Sequence, residues 1–454
     1  MSKPIIVIEN FNAGTTSDKT TALSNGGQYF VNVNVHNKES VLQASQKLTQ
    51  ETDVFTDLVK WFVYDEGETT YKYWALGDTG NYYKTTAIGG TWALHSNVGG
   101  HGNGLALYNG ERFYCTDTGL VGDAGTSKTL DSDALYHPMA VYLGSLFIGA
   151  GRYIAKLESD GTFTARKLTL PEGHRIKSMD IYGDRLVVGV WSGTLITDKA
   201  VAYLFTWDGV TTFAEQSFYL EEHGINALIS WENILLCFAG IQGNVYAFNN
   251  AYLDKAKQIP NIDTGIGDYA YVNPGAVAQY GGNILAGVSV GSGSALGGVW
   301  ELGRKTEDLP FAMTTPYLTS TGHTDVEIGA IMTGGSNQFL VSWKHGSVYG
   351  VDRLDTSTKK TGGYFTSQDY EVMNGAEQRL VQGLSITAEP LGDTSITISY
   401  DADNTGTFTS AGTIDEDNQD DILYFPFRAK VATFKTTLVT DSNNSPIIKR
   451  IDIF

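Results

Sequence analysis

A single pattern recurs along this chain: a few apolar residues, a turn containing glycine or asparagine, a few more apolar residues, and then another glycine turn. Six copies occupy residues 105–114, 140–149, 179–189, 228–236, 276–287 and 331–341. Each copy predicts a tight hairpin of two short strands. Because a hairpin cannot bury its apolar face alone, a series of hairpins must stack or close into a ring.

The spacing of the hairpins predicts a β-propeller. The first apolar residue after each turn is an anchor, and the anchors, with a degenerate earlier copy at 73–76, recur roughly every 35 to 55 residues, as four-stranded blades do. The anchors are Phe113, Leu146, Leu186, Ile234, Ile284 and Phe339. We therefore expect about seven blades, in which the anchors from Leu146 to Ile284 are buried at equivalent positions.

The pattern of apolar residues divides the chain into three parts. Residues 57–363 carry the hairpin pattern, whereas 364–454 contain longer alternating runs that predict a β-sandwich. The fold class expected is therefore all-β, with a propeller followed by a C-terminal sandwich. In the N-terminal segment, 1–56, the alternating strand at 28–35 is expected to close the propeller by completing its last blade. Residues 38–50 fit a short amphipathic helix or a pair of strands, and the strand pair is favoured.

Composition and charge exclude several classes of function. The net charge of −19 argues against a nucleic-acid-binding surface, and equally against an anionic membrane surface. Only Cys115 and Cys237 occur, too few for a disulfide scaffold, and both are expected to be buried free thiols. The apolar run near the N-terminus is too short for a signal peptide, and no stretch is long enough to span a membrane. We expect synthesis in a cytoplasm.

No motif in the chain predicts catalysis or a cofactor. Among the eight histidines, only His95 and His101 are close in sequence, and no carboxylate or cysteine is placed around them at metal spacing. Two acidic clusters, 221–223 and 415–417, are expected to be solvated loops rather than an acid–base pair. We therefore expect no catalytic, cofactor-binding or metal-binding residues.

One acidic segment leaves two interpretations open. Asp401 and Asp403, followed by Asn404 and Gly406, resemble the beginning of a calcium loop. The twelfth position is Gly412 instead of glutamate, so a turn between two strands is favoured. Whether Asp401 and Asp403 bind calcium stays open.

Three segments resemble a family of β-propeller structural proteins of tailed bacteriophages. Residues 11–14, 27–30 and 41–48 are similar to the start of that family, 55–62 to the entry into its first blade, and 391–403 with 445–451 to its C-terminal sandwich. The resemblance implies a non-enzymatic virion component of the tail or head-to-tail region, with a nozzle, hub or connector position. It also implies several copies in a ring, other virion proteins as partners, and the virion as the location.

Two other functions are weighed against this expectation. The first is a receptor- or glycan-binding tail module, in which exposed aromatic rings would stack on host surface glycans. The tryptophans in the repeats are the candidates, although core positions are favoured for them: Trp191, Trp207, Trp231 and Trp343. The second, less favoured, is a propeller glycosidase, which would need two carboxyl groups that converge on the central channel.

Overall fold

The computed structural model describes residues 4–9, 11, 13–15, 26–36, 41–51, 54–131, 135–192, 201–259, 269–291, 296–304, 311–334, 337–372, 377–419 and 421–454. Over these residues the chain is all-β and contains no helix, so none of them forms an apolar helix of membrane-crossing length. The chain forms two compact units. We call Thr49–Gly298 with Thr319–Arg353 the ring unit, and Met1–Leu48 with Val299–Leu318 and Leu354–Phe454 the sandwich unit.

Among the described residues, six strands precede the first blade. They are β1 (Ile6–Glu9), β2 (Gly14–Thr15), β3 (Gly26–Val31), β4 (Val33–Asn34), β5 (Leu42–Ala44) and β6 (Gln46–Gln50). The last two show that the described part of 38–50 forms strands, as favoured from the sequence. Residues 37–40 lie outside the described residues.

Five complete blades follow, each an antiparallel sheet of four consecutive strands. The first is β7 (Val59–Tyr64), β8 (Tyr73–Gly77), β9 (Asn81–Thr85) and β10 (Ala93–Asn97); the second is β11 (Gly104–Tyr108), β12 (Glu111–Cys115), β13 (Gly119–Gly122) and β14 (Ser127–Thr129). The third is β15 (Met139–Tyr142), β16 (Ser145–Ala150), β17 (Tyr153–Leu157) and β18 (Phe163–Thr169). The fourth is β19 (His174–Tyr182), β20 (Arg185–Ser192), β21 (Ala202–Trp207) and β22 (Gln216–Leu220). The fifth is β23 (Ile225–Trp231), β24 (Ile234–Ala239), β25 (Asn244–Phe248) and β26 (Leu253–Gln258).

The remaining strands complete the ring and form the sandwich. They are β27 (Ala270–Tyr280), β28 (Asn283–Val290), β29 (Gly298–Gly303), β30 (Ala312–Tyr317), β31 (Glu327–Gly334), β32 (Gln338–His345) and β33 (Val348–Lys359). The last group is β34 (Gly363–Ser367), β35 (Tyr370–Glu371), β36 (Arg379–Ala388), β37 (Ser395–Ala402), β38 (Thr409–Ile414), β39 (Leu423–Ala429), β40 (Val431–Val439) and β41 (Ile447–Ile453).

The ring unit is a seven-bladed β-propeller. The first strands of the blades are β7, β11, β15, β19, β23, β27 and β31, and each contacts the first strand of the next blade. The contact between β31 and β7 closes the circle. β27 and β31 both approach β7 so closely that a Cβ on Gly275 or Gly329 would overlap the carbonyl oxygens of Lys60 and Val59, respectively. Glycine at these two positions lets the inner strands meet around the central channel.

The ring is closed by a segment other than the one expected. The sequence predicts that 28–35 completes the last blade, but β3 instead pairs with β34 in the sandwich unit. The N–H of Glu51 donates to the carbonyl of Val351 in the seventh blade (2.8 Å), and Glu51 Oε1 accepts from the N–H of Gly89 in the first (2.9 Å). The few residues just before blade one therefore join the two ends of the ring.

The anchors occupy equivalent positions with a one-residue correction. In blades three to seven the second strand follows a short turn, and its second residue is fully buried: Leu146, Leu186, Leu235, Ile284 and Phe339. The prediction of Ile234 is therefore off by one, because Ile234 pairs with Trp231 as the first residue of its strand and is only half-buried. Phe113 is buried as the third residue of β12, which places it on the other face of its blade. Both faces of a blade are covered by neighbours, so either face can be apolar.

A repeated aromatic hydrogen bond links consecutive blades. In blades two to six, the last residue of the first strand is aromatic and donates its O–H or N–H to a carbonyl in the first hairpin of the next blade. The pairs are Tyr108 with Gly144, Tyr142 with Asp184, Tyr182 with Asn233, Trp231 with Gly282, and Tyr280 with Asn337. These bonds satisfy the polar tips of otherwise apolar rings and fix each blade to the next.

The sandwich unit has two sheets around one core. One sheet contains β36, β39 and β41 with the N-terminal strands β1, β4 and β5, and the other contains β34, β37, β38 and β40 with β3. Their facing side chains form a single buried cluster that includes Phe11, Phe30, Phe365 and Phe434. The sandwich predicted for 364–454 is present, and strands from the first 48 residues complete both of its sheets.

Candidate functional site

The topology of the ring unit gives it two different faces. Because consecutive strands of a blade are antiparallel, the turns between first and second strands and between third and fourth strands lie on one face, which we call the hairpin face. The turns between second and third strands and the connections between blades lie on the opposite face, which we call the pocket face. Candidate sites lie on both faces.

A cavity of about 230 Å³ opens on the pocket face at the centre of the ring. Its wall includes Lys60 and Trp61 from β7, Asp78 from the turn after β8, and Leu135 and Tyr136 from the connection into the third blade. We call this cavity the channel pocket. Its aromatic and polar walls fit a small polar ligand with an apolar side.

The charges in the channel pocket are paired with one another. Lys60 Nζ lies 3.0 Å from Asp78 Oδ1, and His101 Nδ1 lies 3.0 Å from Asp117 Oδ1, which also accepts from Asn103 Nδ2 at 3.1 Å. Partial burial opposes the charge on Asp117, but the bonds from His101 and Asn103 outweigh it and hold the pKa of this carboxyl below its usual value. Asp117 is therefore ionised at neutral pH and poorly suited to act as a general acid.

A second lysine lies deeper in the ring. Lys177 on β19 donates to Asn226 Oδ1 at 2.8 Å, and its Nζ lies 5.2 Å from the ring centroid of Tyr136. Burial lowers the pKa of Lys177, and the positive charge of Lys60 lowers it further. For Lys60 itself, burial opposes the charge, but the oxygens of Tyr136 and Asp78 reverse that effect and raise its pKa. Lys60 therefore holds its proton more strongly than an ordinary lysine, and Lys177 holds its proton less strongly.

The hairpin face carries a row of exposed apolar side chains over three successive blades. Leu143 lies in the first hairpin of blade three, Val210 and Phe213 in the last hairpin of blade four, and Tyr252 in the last hairpin of blade five, each 64–77% exposed. We call these four residues the apolar rim. Gly209 packs against Tyr142, so the hairpin of blade four that carries Val210 and Phe213 adjoins the hairpin of Leu143. The hairpin of Tyr252 adjoins blade four at its first hairpin, where Gly183 approaches Asn250.

Leu143 is unusual in its backbone as well as its exposure. Its φ of 47° lies in the left-handed region, where the equivalent hairpin of blade two has Asn109 with φ of 50°. Asparagine adopts this conformation readily, whereas a leucine there is strained. A leucine that is exposed and strained in this way does not stabilise the ring by burial or by backbone preference.

The residues singled out in the sequence have structural roles. His95 packs against Trp74 and Tyr82. The expectation of a solvated loop at 221–223 is wrong for Glu222, which is buried and accepts hydrogen bonds from Asn244 and Tyr246. Of the four tryptophans, Trp207, Trp231 and Trp343 are buried, and Trp191 is half-buried. Asp415 accepts from the N–H of Asp417 within its turn, and both cysteines are buried free thiols, as expected.

The segment around Asp401 forms the turn favoured from the sequence. Asp401 Oδ1 accepts from the N–H and hydroxyl of Thr405, and its Oδ2 accepts from the N–H of Gly406. Asp403 Oδ1 accepts from the N–H groups of Lys430 and Val431. Both carboxylates therefore have partners in the protein, which explains these residues without an ion.

The structure also assembles ligand-type side chains that the sequence does not connect. On the pocket face, His323, Asp325 and His345 come together from two sides of one hairpin. The pocket residues Lys60, Asp78 and Asp117 were likewise missed, because they are separated in sequence and come from two blades. Lys60 lies near the start of a first strand, whereas Asp78 and Asp117 each lie just after a second strand.

Comparisons with known proteins return no family model and no curated protein that matches the chain. Among solved structures, the chain is similar to the extracellular domain of a hybrid two-component system from B. thetaiotaomicron, at 13% identity and a TM-score of 0.48. That match covers 84% of this chain and 47% of the other, so the chain spans about half the length of that relative. It is also similar to BamB from Moraxella catarrhalis, at 12% identity, a TM-score of 0.42, and coverage of 72% and 94%. A third is the WD40 domain of Pan2 from Neurospora crassa, at 8% identity, a TM-score of 0.42, and coverage of 69% and 95%.

Proposed function

We propose that this chain is a non-enzymatic structural subunit of a tailed-phage virion, present in several copies in the tail, in the nozzle, hub or connector region. The observation that carries the proposal is the apolar rim. Exposed apolar side chains on adjoining hairpins, as at Leu143, Val210 and Phe213, are typical of a protein–protein interface. The resemblance to phage propeller proteins at the start of the chain (11–14, 27–30 and 41–48), at 55–62, and at 391–403 with 445–451 supports the same assignment.

Leu143 gives the strongest argument for an assembly role. Its side chain is exposed and its backbone is in a strained conformation, so the isolated ring unit has no use for a leucine there. A partner that buries Leu143 together with Phe213 would offset this backbone strain, because burying apolar surface stabilises a complex by about 25 cal/mol per Å². We infer that the partners are further copies of this chain and other virion proteins.

The channel pocket supports a non-enzymatic role. Each of its two carboxylates, Asp78 and Asp117, lies beside a basic group, and the pKa of Asp117 is lowered. A glycosidase needs one carboxyl group that keeps its proton near neutral pH and a second at a defined separation. The net charge of −19 also makes specific nucleic-acid binding unfavourable.

Complementation with rim variants tests the proposal. Leu143→Asn relieves backbone strain, so this variant should fold at least as well as the wild type. Particles assembled with only the Leu143→Asn chain, or with only the Phe213→Ser chain, should nevertheless lack the protein. Val348→Ser is the matched control, because Val348 is also exposed but lies beside a turn of the pocket face. Normal incorporation of the rim variants, or equal loss with the control, would contradict an assembly role for the rim.

A receptor- or glycan-binding tail module is the second candidate, favoured by one observation. Trp61 and Tyr136 lie beside paired polar groups in a cavity whose volume suits about one sugar ring. If this alternative is correct, the chain should bind glycans from the host surface, and Trp61→Ala should abolish the binding. Equal binding by the wild type and Trp61→Ala would exclude the channel pocket as the site.

A further inference from the structure

Three potential metal ligands converge on the pocket face of the seventh blade. His323 and Asp325 lie in the connection into β31, and His345 is the last residue of β32. Asp325 Oδ1 lies 3.4 Å from His345 Nε2 and 3.9 Å from His323 Nδ1, and all three ligand atoms lie within 4.8 Å of one another. The two imidazole rings are stacked, with centroids 3.7 Å apart.

The fold of the hairpin explains why these residues meet. β31 and β32 are antiparallel, and Glu327 is paired with Lys344 at the end of their ladder. His345 directly follows Lys344, and Asp325 lies two residues before Glu327, so both lie at this end of the ladder, where their side chains approach each other. Gly346, with φ of 59°, then turns the chain into β33 and leaves the His345 ring at the surface of the turn.

The separations of the ligand atoms are close to what a tetrahedral zinc site requires, and the stacked imidazole rings have to rotate apart so that both nitrogen lone pairs point at one ion. With ligand bonds of about 2.1 Å, neighbouring ligand atoms of a tetrahedral site lie about 3.4 Å apart. Asp325 and His345 already have this separation, and the His323 nitrogen needs to approach by about 0.5 Å relative to Asp325 and by at most about 1.4 Å relative to His345. His323 and Asp325 are exposed, with 54% and 58% of their side chains accessible, so small rotations are unhindered.

The ligand types restrict the class of metal. Two imidazole nitrogens and one carboxylate oxygen suit zinc and other divalent transition metals, whereas calcium and magnesium prefer oxygen ligands throughout. The ammonium group of Lys344 lies 3.7 Å from Glu327 Oε2, which offsets its repulsion toward a cation. Beside the trio, a cavity of about 140 Å³ lined by Tyr269 and Tyr271 leaves space at a fourth coordination position.

We propose that His323, Asp325 and His345 bind one divalent transition-metal ion of the zinc class, with its open position toward this cavity. The site links the connection into β31 to the β32–β33 turn, and it is independent of the proposed virion role. The sequence gives no metal motif here, because a whole hairpin separates His345 from the other two ligands.

Titration calorimetry with zinc chloride tests the proposal on the full chain without an affinity tag, after treatment with a chelator that is then removed. The expected result is one saturable site per chain. His323→Ala and His345→Ala should each weaken it by about 100-fold or more, beyond the 10–100-fold loss that follows removal of an outer partner. His101→Ala is the matched control, because His101 is an exposed histidine with a single carboxylate partner, Asp117.

Cobalt absorption gives a second readout that does not depend on affinity alone. Co²⁺ bound to the wild type should show the visible bands of a four-coordinate nitrogen–oxygen site, and Asp325→Asn should weaken or shift them. The melting temperatures of the metal-free variants should equal that of the metal-free wild type, which separates ligand loss from misfolding. Absence of saturable zinc binding would overturn the proposal. Binding that survives both histidine variants, or that is lost equally in His101→Ala, would overturn it as well.

Discussion

Leu235 and Ile234 offer a direct test of the register of the fifth blade. Leu235 is fully buried and packs with Leu228, Cys237 and Phe248, whereas Ile234 is half-buried at the start of the strand. Truncating a fully buried leucine to alanine costs about 2–5 kcal/mol, through lost burial and the cavity left behind. Truncating the half-buried isoleucine should cost about 1 kcal/mol.

Differential scanning calorimetry measures both substitutions. For domains somewhat smaller than this ring, a loss of 1 kcal/mol lowers the melting temperature by about 2–4 °C, and a larger unit has the smaller shift. At about 2 °C per kcal/mol, Leu235→Ala should therefore lower the melting temperature by about 4–10 °C. Ile234→Ala should lower it by about 2 °C. Leu186→Ala, at the equivalent position of blade four, should behave like Leu235→Ala. An Ile234→Ala effect as large as that of Leu235→Ala would refute the register and the burial argument built on it.

Three further predictions concern hydrogen bonds and charges. Tyr142→Phe removes one inter-blade hydrogen bond and should destabilise the ring by about 0.5–1.5 kcal/mol in urea unfolding, whereas Tyr252→Phe, at an exposed tyrosine, should have no measurable effect. Because Asp401 is saturated by N–H and O–H donors, calcium or a chelator should leave the melting temperature unchanged, and a clear calcium-dependent rise lost in Asp401→Asn would contradict this. Backbone N–H donors hold the pKa of Asp403 below its usual value. The contribution of Asp403 to the free energy of unfolding is therefore fully present above the ordinary carboxyl pKa, and it is lost as pH falls through the lowered pKa of the folded state. Asp403→Asn should therefore lose stability near neutral pH but show a shallower decline in acid, measured as urea midpoints against pH; parallel curves would be inconsistent with a lowered pKa.

Local patterns made the propeller predictable. Each hairpin combines a turn residue that tolerates left-handed backbone with strands whose apolar residues match the pleat, as in Asn109 and Gly110 between β11 and β12. The one-residue error at Ile234 has a physical cause. Ile234, Leu235 and Leu236 are all apolar, and blades are covered on both faces, so alternation does not reveal which residue faces which neighbour.

Pairings between distant segments were not predictable in the same way. The alternating strand at 28–35 fits any sheet edge, and only the three-dimensional structure shows that β3 pairs with β34 while Glu51 joins the ends of the ring. The candidate sites have the same limitation. Lys60 and Asp117 come from different blades, and His345 meets Asp325 only because their strands are paired.

Quantitative mass spectrometry of purified virions tests the central claim most directly. The measurement is the number of copies of this chain per particle, relative to a tail protein of known copy number. A structural tail subunit should be present at a fixed, small-integer ratio that survives stringent purification. Absence from particles, or a variable trace amount that washing removes, would contradict the proposed role as a structural subunit of the virion.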